Sequence, residues 1–533
     1  MDNDFSPIRI LEAERGFGSL KSPVLVSRHI NRFRPLYEEA AKRALERAHE
    51  SDVWLVHALE TAERINGRVL LEWMNGPAGM PAGTPVSLIE KRDKLLEGLR
   101  YLDAGGDSHA GEDAESLSAA LEMLAQVEQA IWSSPGAGDG TLVPPSSSPN
   151  PSDGQDLAQD DVTDADSLPG GRDLLLQIPA DTCLFEYFAI AGRVHVFVAE
   201  YGRVTAAYGL DIGVSEVRDA ILSASLGIRL RQNAATYRTL EDKFGITLPT
   251  WDLESLPYLH EHLVAPLAHH LQEKVRLWVV LDDSMADLPF ETLFRKITDE
   301  SGPMPHFLAE DVAITRLPSL AVLHRITQAP VAPWKPYVTN VPVQAGGPAG
   351  SHMEAAAVGA LLHTPVASGD LGDLLACLPD ASWLHVSSHA DVSAHLTHLQ
   401  ALALANGYLT PSSLPPLQLS MAVLSACSTS EGDCLPQAPW AGLCGAFLVR
   451  GTHAVVASGW PVSVEATCRL MDAFYLALHT GAPADRALQT AQLAVMRQYS
   501  AHPYYWAAFR LIGDGTCHLP TAIVSSEHHE HAI

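Results

Sequence analysis

Between about residues 28 and 75, apolar side chains recur at spacings of three and four through LYEEAAKRALERA and then VWLVHALETAERINGRVLLEWM. That period belongs to helices with one buried stripe, and it predicts a helical hairpin or the remnant of a helical repeat. No second copy follows at a fixed period, so a full repeat array is not supported. SLIEKRDKLLEGLRYL and AESLSAALEMLAQVEQAIW predict a second helical pair, in which Leu117, Leu121, Leu124, Val127 and Ile131 form one packing stripe. The periodicity then stops. From about 133 to 172 the chain reads SSPGAGDGTLVPPSSSPNPSDGQDLAQDDVTDADSLPGGRD, rich in Pro, Gly, Ser and Asp, with too little apolar surface to offset the entropy of ordering it. A disordered acidic linker is expected there, open to proteolysis and to self-processing.

From 174 onward the period changes. CLFEYFAIAG, RVHVFVAEYG and RVTAAYGL predict a β-meander with glycine at its turns. Helices are expected around 215 to 240 and 257 to 272, and RLWVVLDD is a continuous apolar run of the kind buried in a parallel sheet. PYVTNVPV, EAAAVGALL, WLHVSSHA, the stretch to LSMAVLSAC, AFLVRG, HAVVASGW and a long helix from about 464 to 480 continue the alternation. Strand and crossover helix repeated in this way predict an α/β parallel sheet behind an N-terminal α-helical region.

A chain of 533 residues is too long for one ordinary core, so two or three structured units are expected. Apolar residues make up 47% but aromatic ones only 7%, which describes a soluble globular protein. No apolar run approaches the eighteen or so residues of a spanning helix, so no membrane partner is expected. The start, MDNDFSPIRILEAERGF, carries charges where a signal peptide would have its apolar stretch, and a cytoplasmic location is expected. Seven widely spread cysteines argue for reduced thiols rather than a disulfide framework. A formal charge of −28 leaves no basic excess to replace phosphate counterions, which disfavours direct nucleic-acid binding.

In open parallel sheets the functional crevice lies beyond the carboxyl ends of the strands. His389 closes WLHVSSH and Cys427 closes MAVLSAC; if the two strands are neighbours, both side chains reach one crevice. Cysteine is a nucleophile as thiolate, and a nearby imidazole can take its proton and later give it to a leaving amine. The backbone amides of Cys427 and Ala390 are the candidate donors to an oxyanion. On spacing alone, an inert core thiol and a satisfied structural histidine remain open alternatives. His385 and His389 are four apart but on a strand, where that spacing does not bring two rings to one metal, and Cys427, Cys434 and Cys444 lack C-x-x-C spacing; no metal site is expected. QAGGPAGS at 344 to 351 lacks the G-K-[ST] ending of a phosphate loop and is expected to be a plain connection. The histidines of LHEHLVAPLAHHLQE sit on an expected amphipathic helix, and EHHEHAI is expected to be a frayed tail.

Between about 174 and 515 the segments DTCLFEYFAI, HEHLVAPLAHHL, RLWVVLDDSMADLPFETLF, FLAEDVAITRLPSLAVL, MEAAAVGALL, LHVSSHA, VLSACSTSEG, AFLVRGTHAVVASGWPV, MDAFYLAL, ALQTAQLAVM and HPYYWAAFRLIGDG follow one another. In that order they resemble the CHAT domain, a bacterial relative of caspases and separases, and VLSACSTSEG resembles its LSAC-x-T pattern. ALETAERINGRVLLEWM resembles the last helices of the tetratricopeptide region that commonly precedes such domains, a truncated helical adaptor. The resemblance implies a caspase-like, three-layer parallel-sheet fold over 173–520, with a pseudo-subunit half (173–330) and a catalytic half (331–520), after a helical region (1–132) and a linker (133–172) and before a flexible tail (521–533). It implies a cysteine endopeptidase with a Cys427–His389 dyad and no cofactor, acting on a protein target as a triggered protease in bacterial defence or regulated cell death. The partners implied are that protein substrate and a co-encoded activator or effector. Two departures stand out. Ala390 replaces the glycine usual after the histidine, so its methyl could crowd the oxyanion site or restrict the backbone. Where separases carry acids after the Trp of the segment corresponding to GWPVSVE, this chain has Pro461 and Val464, leaving Glu465, together with Glu431 and Asp433 after the cysteine, as candidate pocket acids. The alternative is a catalytically silent CHAT scaffold that binds protein partners through its helical region and acidic surface, which Ala390 favours.

Overall fold

The computed structural model describes residues 23–75, 170–229, 254–299, 302–391, 400–411, 413–426, 440 and 442–524, with a few isolated positions between 87 and 127. The first helical pattern becomes three helices, α1 (Pro23–Glu46), α2 (Asp52–Glu63) and α3 (Arg68–Asn75). Ser51 caps α2 by accepting the Val53 N–H at 3.3 Å. Gly67, at φ 69°, ends the turn before α3, where a Cβ would meet Ser319 at 2.8 Å. Of the expected second stripe, Val127 is described and buried; Leu117, Leu121, Leu124 and Ile131 lie outside the described residues, as does the linker up to 169. The described residues resume at 170, inside the segment expected to be linker up to 172. The Gly171 N–H donates to Glu60 at 2.7 Å and Leu174 and Leu175 are buried, which ties a short helix, Gly171–Leu175, to α2.

One eleven-stranded sheet organises the rest. Its strands are β1 (Thr182–Ile190), β2 (Arg193–Glu200), β3 (Arg203–Gly213), β4 (Arg276–Val280), β7 (Ala313–Leu317), β8 (Pro336–Asn340), β9 (Val366–Ala367), β10 (Trp383–Ser387), β14 (Met421–Ser425), β15 (Ala454–Ser458) and β16 (Phe509–Gly513). The spatial order is β3-β2-β1-β4-β7-β16-β15-β14-β10-β8-β9. A hairpin of β5 (Phe294–Asp299) and β6 (Gly302–Phe307) and a small sheet of β11 (Ala390–Asp391), β12 (Ala401–Leu404) and β13 (Gly407–Leu409) stand apart from it. The meander β1–β2–β3 is antiparallel and turns at Gly192 and Gly202, both with positive φ. β1, β4 and β7 are mutually parallel, and so are β8, β10, β14 and β15. β16 lies between the two blocks, antiparallel to β15 and bridged to β7 at Ile512 and Arg316. The central runs AITRL, WLHVS, MAVLS and AVVAS are buried at every position, as strands covered on both faces must be.

The covering helices are α4 (Val214–Arg229), α5 (Ser255–Leu263), α6 (Leu320–Thr327), α7 (Ser351–Leu361), α8 (Leu443–Val449), α9 (Val464–His479), α10 (Ala484–Gln498) and α11 (Pro503–Trp506). AFLVRG is the crossover helix α8 between β14 and β15. HEHLVAPLAHHL is not one amphipathic helix: after α5 it tightens into a 3₁₀ segment, Ala265–Leu271, because Pro266 has no N–H to continue the α pattern. Alternate strand residues point to two cores. One holds Trp383, Val423 and Val456 with Phe474, Tyr475 and Trp506 from α9 and α11. The other holds Leu384, Leu424 and Val455 with Phe447 of α8 and, from the N-terminal helices, Tyr37, Trp54, Leu59 and Leu70. The result is a three-layer α/β fold in which α1–α3 belong to one outer layer. Polar ties secure them: Arg34 pairs with buried Asp282, Glu63 accepts the Leu320 and Ala321 N–H groups at 2.8 and 2.9 Å, and Asn66 donates to Glu186 at 2.9 Å. No helix among the described residues is long and apolar enough to cross a membrane.

Candidate active site

β10 and β14 are parallel neighbours, paired from Trp383 with Met421 to Ser387 with Ser425. The Ser388 N–H to Ser425 carbonyl bond, 3.1 Å, carries the pairing one step further. His389 stands two residues past Ser387, and Cys427 two residues past Ser425 in sequence. The candidate pair is thus numbered off equally from a matched pair of strand ends. Cys427 lies outside the described residues, as do Glu431, Asp433 and Cys434. Ala426, the residue before Cys427, is buried and its carbonyl accepts the Ser458 hydroxyl of β15.

His389 is exposed, and no described residue hydrogen-bonds its imidazole. Its backbone is fixed: its carbonyl accepts the Ala403 N–H at 2.9 Å, and the Ser388 hydroxyl donates to the Ala403 carbonyl. Ala390 then pairs with Leu402 at the start of β11. Hydrogen-bonded and non-hydrogen-bonded pairs alternate along an antiparallel ladder, so the Ala390 N–H turns away from β12. Ala390 has no positive φ; among the described non-glycine residues only Ala191, Glu273 and His363 do. Its methyl group therefore imposes no backbone strain.

Beneath the end of β10 lies a polar network that sequence reasoning missed. His385 is 0% exposed; Nδ1 is 3.1 Å from the Tyr475 hydroxyl and Nε2 is 3.1 Å from Glu354. The Trp383 indole N–H donates to the same hydroxyl at 3.2 Å. Burial pushes the Tyr475 phenol well above its ordinary range, so it stays neutral. Both ring nitrogens of His385 are thus engaged by α7 and α9, which hold β10 two turns of the pleat before His389. The available signal was Glu354, a lone acid in the apolar run MEAAAVGALL.

Glu465, the third expected pocket acid, is exposed in the first turn of α9; it pairs with Arg469 at 3.1 Å and accepts the Tyr499 hydroxyl at 3.3 Å. In the loop 344–351, a Cβ at Gly347 would lie 1.8 Å from the Val341 carbonyl, and the Ser351 hydroxyl donates to that carbonyl at 3.2 Å. These glycines let the connection fold on itself. Burial pushes the thiols of Cys183 and Cys444 up to about 12 and that of Cys468 up to about 11, which keeps them protonated and unreactive.

Residues 253–514 match the family model described as the CHAT domain. Tetratricopeptide repeat protein 28 of Homo sapiens is 34% identical over 119 residues, and that of Mus musculus 33% over 119. Each match covers 22% of this chain but 5% of the relative, so the chain spans a small fraction of the length of these proteins. Among solved structures, the Saccharomyces cerevisiae separase–securin complex aligns with a TM-score of 0.41 and 12% identity, over 64% of this chain and 30% of that one. The Arg-specific cysteine proteinase gingipain R aligns with a TM-score of 0.34 and 12% identity, over 55% of this chain and 77% of that one.

Proposed function

The chain carries a CHAT domain across residues 253–514, and from that premise we propose that it is a cysteine endopeptidase using His389 and Cys427. The observation that supports the proposal is the register of β10 against β14, whose paired ends, Ser387 and Ser425, precede His389 and Cys427 by two positions each in the sequence. In this reading Cys427 attacks a peptide carbonyl, and the bond from sulfur to carbon forms as the carbonyl π pair moves to oxygen. His389 takes the thiol proton and returns it to the departing amine; water then releases the acyl-enzyme, with His389 again moving the proton. The Ala390 and Cys427 amides receive the oxyanion. The target is a protein, the partner that triggers cleavage is an activator encoded beside it, and the setting is bacterial defence or regulated cell death. The halves 173–330 and 331–520 serve as pseudo-subunit and catalytic half.

Cleavage of a diverse peptide library, read by mass spectrometry, tests this with wild type beside Cys427→Ala and His389→Ala. A shared cleavage preference in wild type and silence in both variants is expected. Silence of wild type with co-encoded proteins present, together with an unreactive Cys427, would instead identify a scaffold that binds partners.

A further inference from the structure

The hairpin of β5 and β6 has two outer edges, and its sequence closes one of them. Arg295, Ile297 and Asp299 pair with His306, Met304 and Gly302, while Lys296 and Thr298 lie opposite Pro305 and Pro303. Proline has no N–H to give the ladder, so the hydrogen-bonded pairs are those of Arg295, Ile297 and Asp299. The Leu308 N–H to Leu293 carbonyl bond, 2.8 Å, continues that phase. The main-chain groups of Phe294, Lys296 and Thr298 therefore point away from β6. On β6 the outward positions are Pro303, Pro305 and Phe307; two have no N–H, and the Phe307 N–H donates to Glu310 at 2.9 Å. That edge is blunted, as protected edges are. The β5 edge is open: no described residue bonds the main-chain groups of Lys296 or Thr298 on that side.

Phe294 and Lys296 also line a cavity of about 1250 Å³, bounded by α5, the 3₁₀ segment after it, the start of β5 and the short helix Leu308–Asp311. Val264, Leu271, Phe294 and Leu308 form its apolar wall. At its mouth, exposed Arg295 pairs with Asp311 at 2.6 Å and exposed Lys296 with Glu254 at 3.1 Å. His260 is the buried polar residue of the lining, 7% exposed. No described residue hydrogen-bonds either of its ring nitrogens, and neither is sealed in the core, so the polar edge of the ring is open to the cavity. Burial, with the charge of Arg295, pushes His260 down to about 4 against the pull of Asp311, which leaves the imidazole neutral at pH 7 with one donor and one acceptor. A buried polar group of this kind calls for a partner, and the cavity describes it. The walls take an apolar ring, and its polar tip must suit a group that both donates and accepts. A phenol hydroxyl does both, whereas an indole N–H only donates. Glu261, exposed on the lining and with no described partner, disfavours an anion. The volume exceeds the roughly 300–1,000 Å³ of small-molecule sites, and an open strand edge is what an extended peptide pairs with.

We propose that the β5 edge and this cavity form one docking site for an extended segment of a partner protein, which adds a strand to β5 and seats a tyrosine side chain against His260. The site shares no residue with the candidate active site and stands whether or not the chain is a peptidase.

The full chain carrying Cys427→Ala, so that no peptide can be cut, is titrated by calorimetry with p-cresol, the tyrosine side chain without its backbone, and with toluene and 4-methylanisole, which have no hydroxyl proton. p-Cresol is expected to bind about tenfold tighter than either, and His260→Phe, which keeps a ring in place, is expected to remove the difference. A capped pentapeptide of threonine and valine around one central tyrosine is expected to bind about tenfold tighter than p-cresol and than its phenylalanine counterpart. Alternate N–H groups of an added strand face the edge, so N-methylation at every second residue should abolish binding in one phase and leave it within about threefold in the other. Equal binding of p-cresol and toluene by the parent, or no binding of either, would overturn the tyrosine assignment without recourse to any change at His260. A peptide that binds no tighter than p-cresol, or that both methylation phases weaken alike, would show a site for free phenols and overturn the docking site. Self-association of the full chain that p-cresol disperses would assign the edge to a second copy instead of a partner.

Discussion

At the scale of single residues, position 390 decides whether the oxyanion site is impaired. The departure from glycine raised that doubt, and the ordinary φ of Ala390, with its N–H turned away from β12, removes its backbone part. Ala390→Gly is therefore expected to leave kcat/KM on a cleaved peptide within about threefold of wild type; a gain of a hundredfold would show that the methyl group does obstruct the site. The network around His385 makes a second prediction. Tyr475→Phe strands the Trp383 N–H and His385 Nδ1 in a closed core, and losing one partner of buried groups costs about 1–3 kcal/mol. Thermal unfolding of that variant should show a loss of this size; an unchanged melting temperature would mean that water or a shifted side chain replaces the hydroxyl. The strands β10 and β14, which lead towards His389 and Cys427 in the sequence, were legible because each is a continuous apolar run. The partners of His385 were not, since Glu354 and Tyr475 come from α7 and α9, far away in sequence.

At the scale of elements, the docking of α2 on β1 is a titration device in the fold. Glu63 and Glu186 are buried side by side; burial, then the charge of Glu63, raises Glu186 well above the ordinary carboxylate range. Glu63 is raised too, by burial against the N–H groups of Leu320 and Ala321 that favour its charged form. The sign follows from linkage: the native state holds a proton that the unfolded chain releases above its ordinary pKa near 4.5, so stability is lost as pH rises from there. Glu186→Gln keeps a partner for Asn66 and has no proton to lose. Its melting temperature should gain on that of wild type steadily from pH 5 to pH 8; parallel curves would mean that Glu186 is not the group being protonated. The elements themselves were legible wherever the period was clean, as in the meander and in RLWVV, MAVLS and AVVAS. AFLVRG was not, because a short apolar run carries no period that separates strand from helix.

At the scale of the whole molecule, α1–α3 are a layer of the fold rather than an appended adaptor. Tyr37, Trp54, Leu59 and Leu70 share one core with Phe188, Trp278 and Phe447. Calorimetry of the full chain should accordingly show the N-terminal helices and the sheet unfolding together, and removal of residues 1–75 should leave a chain that aggregates or melts without cooperativity. An independent low-temperature transition for the helices would contradict this. The alternation of strand and helix made the sheet legible; the return of β16 between β15 and β7, and the seating of α1–α3 on the sheet, were not, because both depend on contacts between distant parts of the chain. The central claim concerns the pair His389 and Cys427, and the rate of Cys427 alkylation by iodoacetamide across pH, resolved by peptide mass spectrometry in wild type and His389→Ala, tests it most directly. An activated thiolate reacts well below the ordinary thiol range near 8.5, so wild type should be alkylated rapidly at neutral pH and the variant only as pH rises towards that value. Coincident profiles, both following an unperturbed thiol, would contradict the pairing.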